Sequence, residues 1–279
     1  MNLLGIDFED WFHPELIQRY ITGLDKTPTV INGIDKILDW LRKNETYATF
    51  FVVGELLEVK PELIDKIISD GHEIAFHTMH HSRIDSPNFK EKFIEEIKLF
   101  DKITSKRSKG FRAPSFSLNY SSSWLIDVLS DHNYQYDSSV MPAKTKLYGM
   151  PKADVKPYRI SSSSLEQDDP SSKIIEFPLL TTRLLGYNIP ACGGFYLRFL
   201  PLKIIERAIK NNMKKNIPVT FFIHSWELTP EFMRKINMSF SDKFITYHNI
   251  GKALSKMDVL IKKFKFTSFE RFISENPMH

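Results

Sequence analysis

Short apolar runs that end at a polar residue, alternating with segments of helical period, constrain this chain more than any other feature. Residues 3–8, 48–53, 73–76, 110–112, 134–137, 174–177 and 219–223 read as strands. Helical patterns fall between them at 30–41, 55–69 with a break at Pro61, 89–103, 123–129, 201–215 and 250–262. About seven such alternations favour an α/β fold on a parallel sheet, either doubly wound or closed into a barrel. Segment 141–170, rich in Lys, Pro and Ser, reads as a surface excursion within one domain spanning 1–279.

The polar residues that stop the strands are the informative ones. Glu9 and Asp10 follow the first run and His77 the third; Arg112 and Asp137 end their own, and His224 follows the last. Parallel α/β folds build their sites at the carboxyl ends of strands, so these positions are candidates for chemistry. Cys192 is the single cysteine. That excludes an intramolecular disulfide and a Cys-cluster zinc site, leaving His, Asp and Glu to hold any metal.

His77-Thr78-Met79-His80-His81 is the sharpest segment. One helical turn would put His77 and His81 on a common face, with His80 pointing away. Two His and a carboxylate are a common set for Zn²⁺ and other divalent ions, although three His in a loop also occur as an exposed cluster. Asp7-Phe8-Glu9-Asp10 crowds three carboxylates, which raises a pKa or recruits a cation. Asp10 alone also reads as the N-cap of a helix through 11–16. His224, beside Trp226 and Glu227, suits an acid or base as well as a core histidine. Arg112 suits either a strand-end salt bridge or the tuning of a carboxylate. Gly193-Gly194-Phe195-Tyr196-Leu197-Arg198 lacks the spacing of a dinucleotide or Walker loop; it is a plain turn or one that presents Tyr196 and Arg198 to a ligand.

The net charge of +4 is spread along the chain and argues against a dedicated nucleic-acid binder. No apolar run reaches membrane-span length, and no basic and apolar leader precedes the first strand, so a cytoplasmic location is expected.

Together these segments resemble the NodB-homology polysaccharide deacetylases, carbohydrate esterase family 4. Phe8-Glu9-Asp10 is similar to the family's aromatic-Asp-Asp motif, His77–His81 to His-[Ser/Thr]-x-x-His, Arg112-Ala113-Pro114 to Arg-x-Pro, and Ile223-His224 to the late apolar-x-His position. Asp7–Phe12, Arg112–Phe116, Gly193–Arg198 and His224–Glu227 further resemble a branch found with bacterial exopolysaccharide loci. The resemblance implies a distorted (β/α)7 barrel and metal-dependent N-deacetylation of an amino-sugar glycan or its precursor. A lipid-linked precursor would bring the protein to a membrane without a span. The resemblance further implies a divalent ion, Zn²⁺ above others, on Asp10, His77 and His81. Glu9 then stands where the family has its first aspartate and is the expected base, with Asp7 as the alternative. Arg112 would orient the base, and His224 would protonate the leaving amine. A backbone N–H after Pro114 would hold the oxyanion, and Ser115 takes a position where many members have an aromatic, with Phe116 next to it. Pro114, Ser115, Phe116, Tyr196, Arg198 and Trp226 are the expected substrate contacts. Two other readings stay in view: hydrolysis of a small non-sugar amide, since some NodB-like proteins cleave C–N bonds in small molecules, and a non-catalytic glycan binder, which the Glu9 departure motivates.

Overall fold

Asn2–Phe8 forms β1, and all seven of its residues are buried. A strand with both faces covered needs neighbours on either side and a layer above and below. The computed structural model describes residues 1–145, 147–184 and 186–276. Its further strands are β2 (Thr49–Val52), β3 (Glu73–Phe76), β4 (Gly110–Phe111), β5 (Tyr136–Asp137), β6 (Tyr158–Ile160), β7 (Ile174–Glu176), β8 (Thr181–Leu184), β9 (Tyr187–Pro190), β10 (Thr220–His224) and β11 (Phe266–Thr267). The helices are α1 (Glu15–Gln18), α2 (Ile34–Lys43), α3 (Glu55–Val59), α4 (Glu62–Ser69), α5 (Phe89–Ile103), α6 (Trp124–Asp131), α7 (Gly194–Phe199), α8 (Leu202–Met213), α9 (Ser225–Leu228), α10 (Phe240–Tyr247), α11 (Ala253–Lys263) and α12 (Phe269–Glu275).

The main sheet runs β10-β1-β2-β3-β4-β5-β7-β6, parallel except for the β6–β7 pair, with β11 alongside the start of β1. A parallel bridge between Leu179 and Thr220 brings the segment leaving β7 onto β10. The sheet therefore curls round on itself as the expected distorted barrel, with helices outside. Leu4, Ile6 and Phe8 point outward into the large core shared with those helices. The alternate positions of each strand face inward, as the two-residue period requires.

The interior is filled in layers. At the bottom, α12 lays Phe269 and Phe272 against Leu3, Phe51, Ala75, Tyr136 and Phe177. Higher up lies Arg112, its guanidinium 3.9 Å from the centroid of the Phe51 ring. Above it stand Asp7, Glu9, His77 and His224 at the strand ends. The mouth of the barrel is thus the polar end.

Several elements carry no clear sequence signal. The β8–β9 hairpin, α7, α9, α10 and α12 are short and lack a full period. The 141–170 excursion is packed rather than loose: Met150, Tyr158, Ile160 and Leu165 belong to the main core. Among the described residues no helix is long and apolar enough to cross a membrane.

Candidate active site

β1 ends at Phe8, with Asp7 near its end and Glu9 and Asp10 just beyond it; Asp7 and Glu9 line the cavity, whereas Asp10 does not. Arg112 Nη1 donates to Asp7 Oδ1 at 2.6 Å, while its Nε and Nη2 donate to Ser138 O and Oγ at 3.0 and 2.9 Å. Gly5 makes room for this guanidinium, since a Cβ there would lie 2.5 Å from Arg112 Nη1.

Glu9, His77 and His81 bring three ligand atoms within 4.8 Å of one another, all from buried residues. His77 Nδ1–H donates to the Arg112 carbonyl at 2.7 Å, which leaves Nε2 with its lone pair toward the cluster. Glu9 Oε1 accepts from Trp226 Nε1 at 3.0 Å, whereas buried Oε2 has no hydrogen-bond partner among the described residues. Oε2 lies 3.0 Å from His81 Nε2. An unpartnered buried carboxylate oxygen beside two imidazoles is the donor set a divalent cation satisfies, so the residues fit a metal. Burial pushes the Glu9 pKa up, but His81, His224 and His77 outweigh it and hold the carboxyl well below its usual range. Burial lowers His77 to about 4, keeping that ring neutral as a ligand must be.

Three expectations are corrected here. Asp10 does not join the ligand cluster: its Oδ1 accepts from the backbone N–H of Trp11 and Thr29 at 2.9 Å each, and its Oδ2 from Ile31 N–H at 3.1 Å. Nor does it cap a helix through 11–16, because α1 starts at Glu15 after Pro14. Glu9 occupies the cluster position expected of Asp10, and Asp7 is the carboxylate that Arg112 holds. The segment 77–81 is also not a helical turn. Thr78 and His81 are left-handed, at φ 58° and 54°, and this loop sets the two imidazole centroids 5.1 Å apart.

Across the cavity, His224 Nδ1–H donates to Glu227 Oε2 at 2.8 Å, and its Nε2 lies 3.5 Å from Glu9 Oε1. Glu227 is anchored from behind by Arg198 Nε at 2.6 Å. Burial lowers the His224 pKa, but the Glu227 charge and hydrogen bond outweigh it and raise the value above that of a free histidine. Trp226 stacks on His224 at 4.5 Å between centroids. Arg198 lines the cavity, yet its nitrogens are taken by Glu227 and by the Gly194, Ile245 and His248 carbonyls. It serves to position Glu227 rather than to contact a ligand as expected.

These groups face one cavity of roughly 170 Å³. Ser115, Phe116, Tyr196 and Trp226 line it; Pro114 and Asp10 do not, and Arg112 acts from beneath through Asp7. Ser115 and Phe116 are both left-handed, at φ 53° and 49°, an unusual pair that turns the backbone into the cavity wall. Gly193, at φ 42°, lies where a Cβ would come within 2.3 Å of the Phe222 carbonyl.

Glu227, Glu55 and His13 were not among the residues expected to matter. Glu227 sits three positions after His224 and caps α9, a spacing visible in sequence. Glu55 bridges His13 Nε2 at 2.6 Å and His80 Nδ1 at 2.9 Å, and His13 Nδ1 accepts the Asp10 N–H at 2.7 Å. This clamp joins the loop after Glu9 to the loop that ends in His81, and no spacing foretells it.

Comparison with known proteins adds independent findings. A family model described as polysaccharide deacetylase matches residues 24–136, and a domain of unknown function (DUF3473) matches 138–274. The chain is 28% identical over 172 residues to a peptidoglycan deacetylase-like protein of Gibberella zeae, covering 58% of this chain and 49% of that protein. It is 47% identical over 45 residues to a chitooligosaccharide deacetylase of Bradyrhizobium, covering 16% of this chain and 20% of that one. The chain thus spans about half the length, or less, of these curated relatives. A solved structure of a Mycobacterium smegmatis protein described as a polysaccharide deacetylase shares the fold at a TM-score of 0.60 and 15% identity, over 98% of this chain and 90% of that one.

Proposed function

The chain belongs to the polysaccharide deacetylase family of the NodB-homology type, and on that premise we propose that it hydrolyses the acetamide of N-acetylhexosamine units in a bacterial surface polysaccharide or its precursor. The observation that carries this reading is buried Glu9 Oε2, which lies 3.0 Å from His81 Nε2 within the Glu9–His77–His81 group and, among the described residues, has no hydrogen-bond partner. We assign Glu9, His77 and His81 as ligands of a divalent ion, most simply Zn²⁺. When bound, that ion supplies Lewis-acid polarisation of the amide carbonyl and makes water a better nucleophile.

The rest is work for the chain's own side chains. Asp7 takes a proton from the attacking water, its carboxylate oriented by Arg112. A backbone N–H at the Ser115 turn donates to the developing oxyanion. His224, charged with the help of Glu227, gives its Nε2 proton to the departing nitrogen as the C–N bond breaks. The products are acetate and a free amino sugar.

The test is metal analysis of the purified protein together with acetate release from N-acetylglucosamine oligomers. We expect about one equivalent of divalent metal, loss of activity with a chelator, and recovery on adding zinc or cobalt. Glu9→Gln should lose both metal and activity, whereas Asp7→Asn should keep the metal and lose activity. Metal bound without acetate from any amino-sugar substrate would overturn the substrate class.

A further inference from the structure

The cavity wall built by α7 and α10 does not end at the mouth. Phe195 and Ile245 line the cavity. Phe199 stacks on Phe195 with centroids 5.1 Å apart and planes 16° apart, and Phe244 meets Phe195 edge-on at 6.0 Å. Phe199 is 53% exposed, Phe244 38%, and Phe240, one turn before Phe244 on the same helix face, 88%. A run of phenylalanine rings thus passes from inside the cavity onto the surface. An exposed apolar run continuous with a cavity is a candidate binding surface.

We propose that Phe195, Phe199 and Phe244 form an aromatic ledge on which the pyranose next to the reacting N-acetylhexosamine stacks. This rests on the deacetylase reading and extends it: the second half of the chain would set a preference for oligomers over a single sugar. The chemistry fits a glycan because a hexosamine ring with equatorial hydroxyls offers a flat C–H face to an aromatic ring, with its polar groups at the edge. The ledge is continuous with the cavity, so a chain leaving the site on that side meets it. It is poorly suited to an anionic membrane, since α10 carries one Asp and one Lys, Asp242 and Lys243, and no basic face.

The experiment compares N-acetylglucosamine with its pentamer on wild type, Phe199→Ala/Phe244→Ala, Phe199→Leu and Phe199→Tyr. Loss of two stacking rings should lower kcat/KM for the pentamer by about tenfold and leave the monosaccharide unchanged. Phe199→Leu, apolar but without a flat face, should lose part of that preference, and Phe199→Tyr should retain it. Equal loss on both substrates, or none on either, overturns the ledge. So does unchanged pentamer kinetics with loss of sedimentation on phosphatidylcholine–phosphatidylglycerol vesicles, which would assign the rings to a lipid surface. If wild type releases no acetate from any oligomer, the functional reading fails separately. The ledge is then judged by calorimetry: pentamer binding weakened in the double variant supports it, and equal or absent binding overturns it.

Discussion

Arg112 and Asp7 meet at 2.6 Å, with side chains 0% and 4% exposed, beneath the floor of the cavity. The guanidinium also spans to Ser138 through two further bonds. Lysine keeps the charge but cannot make this fork. Arg112→Lys should therefore lower kcat by about 100-fold through misplacement of Asp7, with metal content unchanged. Arg112→Ala leaves a buried carboxylate without its partner and should cost about 3–5 kcal/mol in urea unfolding. Full activity in Arg112→Lys would remove Asp7 from the role of base.

Gly5 tests the same contact from the other side. An added Cβ would meet Arg112 Nη1 at 2.5 Å and Phe51 Cε2 at 2.8 Å. Neither neighbour has free space, so Gly5→Ala should destabilise by about 1–3 kcal/mol and depress activity as well. Among the described residues nothing lies within 4 Å of the corresponding position at Gly251. Gly251→Ala should stay within about 0.5 kcal/mol of wild type, as thermal unfolding of both variants will show.

The Glu55 clamp holds the two loops that carry the proposed metal ligands Glu9 and His81 without touching the cluster itself. Glu55→Ala should weaken metal binding by about 10–100-fold, as loss of outer support does elsewhere. Glu55→Gln keeps one acceptor and should fall between. Competition with a chromogenic chelator measures this directly, and equal affinity in all three proteins would show that the loops need no clamp.

Glu73 gives the fold a pH dependence of its own. Its oxygens accept from Thr49, Tyr136 and the Glu270 N–H at the start of α12, but burial outweighs those bonds and raises its pKa to about 7. The folded state then binds this proton more tightly than the unfolded chain does. The contribution is full below about pH 4.5 and is lost as pH rises through about 7. Relative to Glu73→Gln, wild type should lose on the order of 3 kcal/mol across that window. His72, lowered by burial to about 4, runs the other way: its contribution is present above about pH 6.5 and is lost as pH falls through about 4. The variant difference separates the two, and a flat difference would mean that Glu73 stays charged in the fold.

Much of the architecture was legible from local pattern. The spans of β3 and α5 match the expected residues. His77 and His81 lie with ring centroids 5.1 Å apart, and a left-handed loop rather than the expected helical turn brings them there. Asp10 shows the limit more sharply. Adjacency to Glu9 points to it as the ligand, yet the backbone amides of Trp11, Thr29 and Ile31 hold its carboxylate outside the cluster.

By itself the sequence determined the strand–helix alternation, the polar strand ends and the restriction of metal ligands to His and carboxylate. These depend on period and composition, which are local. Tertiary structure alone decided that Glu9 rather than Asp10 faces His77 and His81, that Asp7 rests on Arg112, and that Arg198 anchors Glu227. Each of these pairings joins elements apart in the chain. Such choices are made by closure of the sheet and by which buried oxygens find backbone donors, and neither is written in spacing.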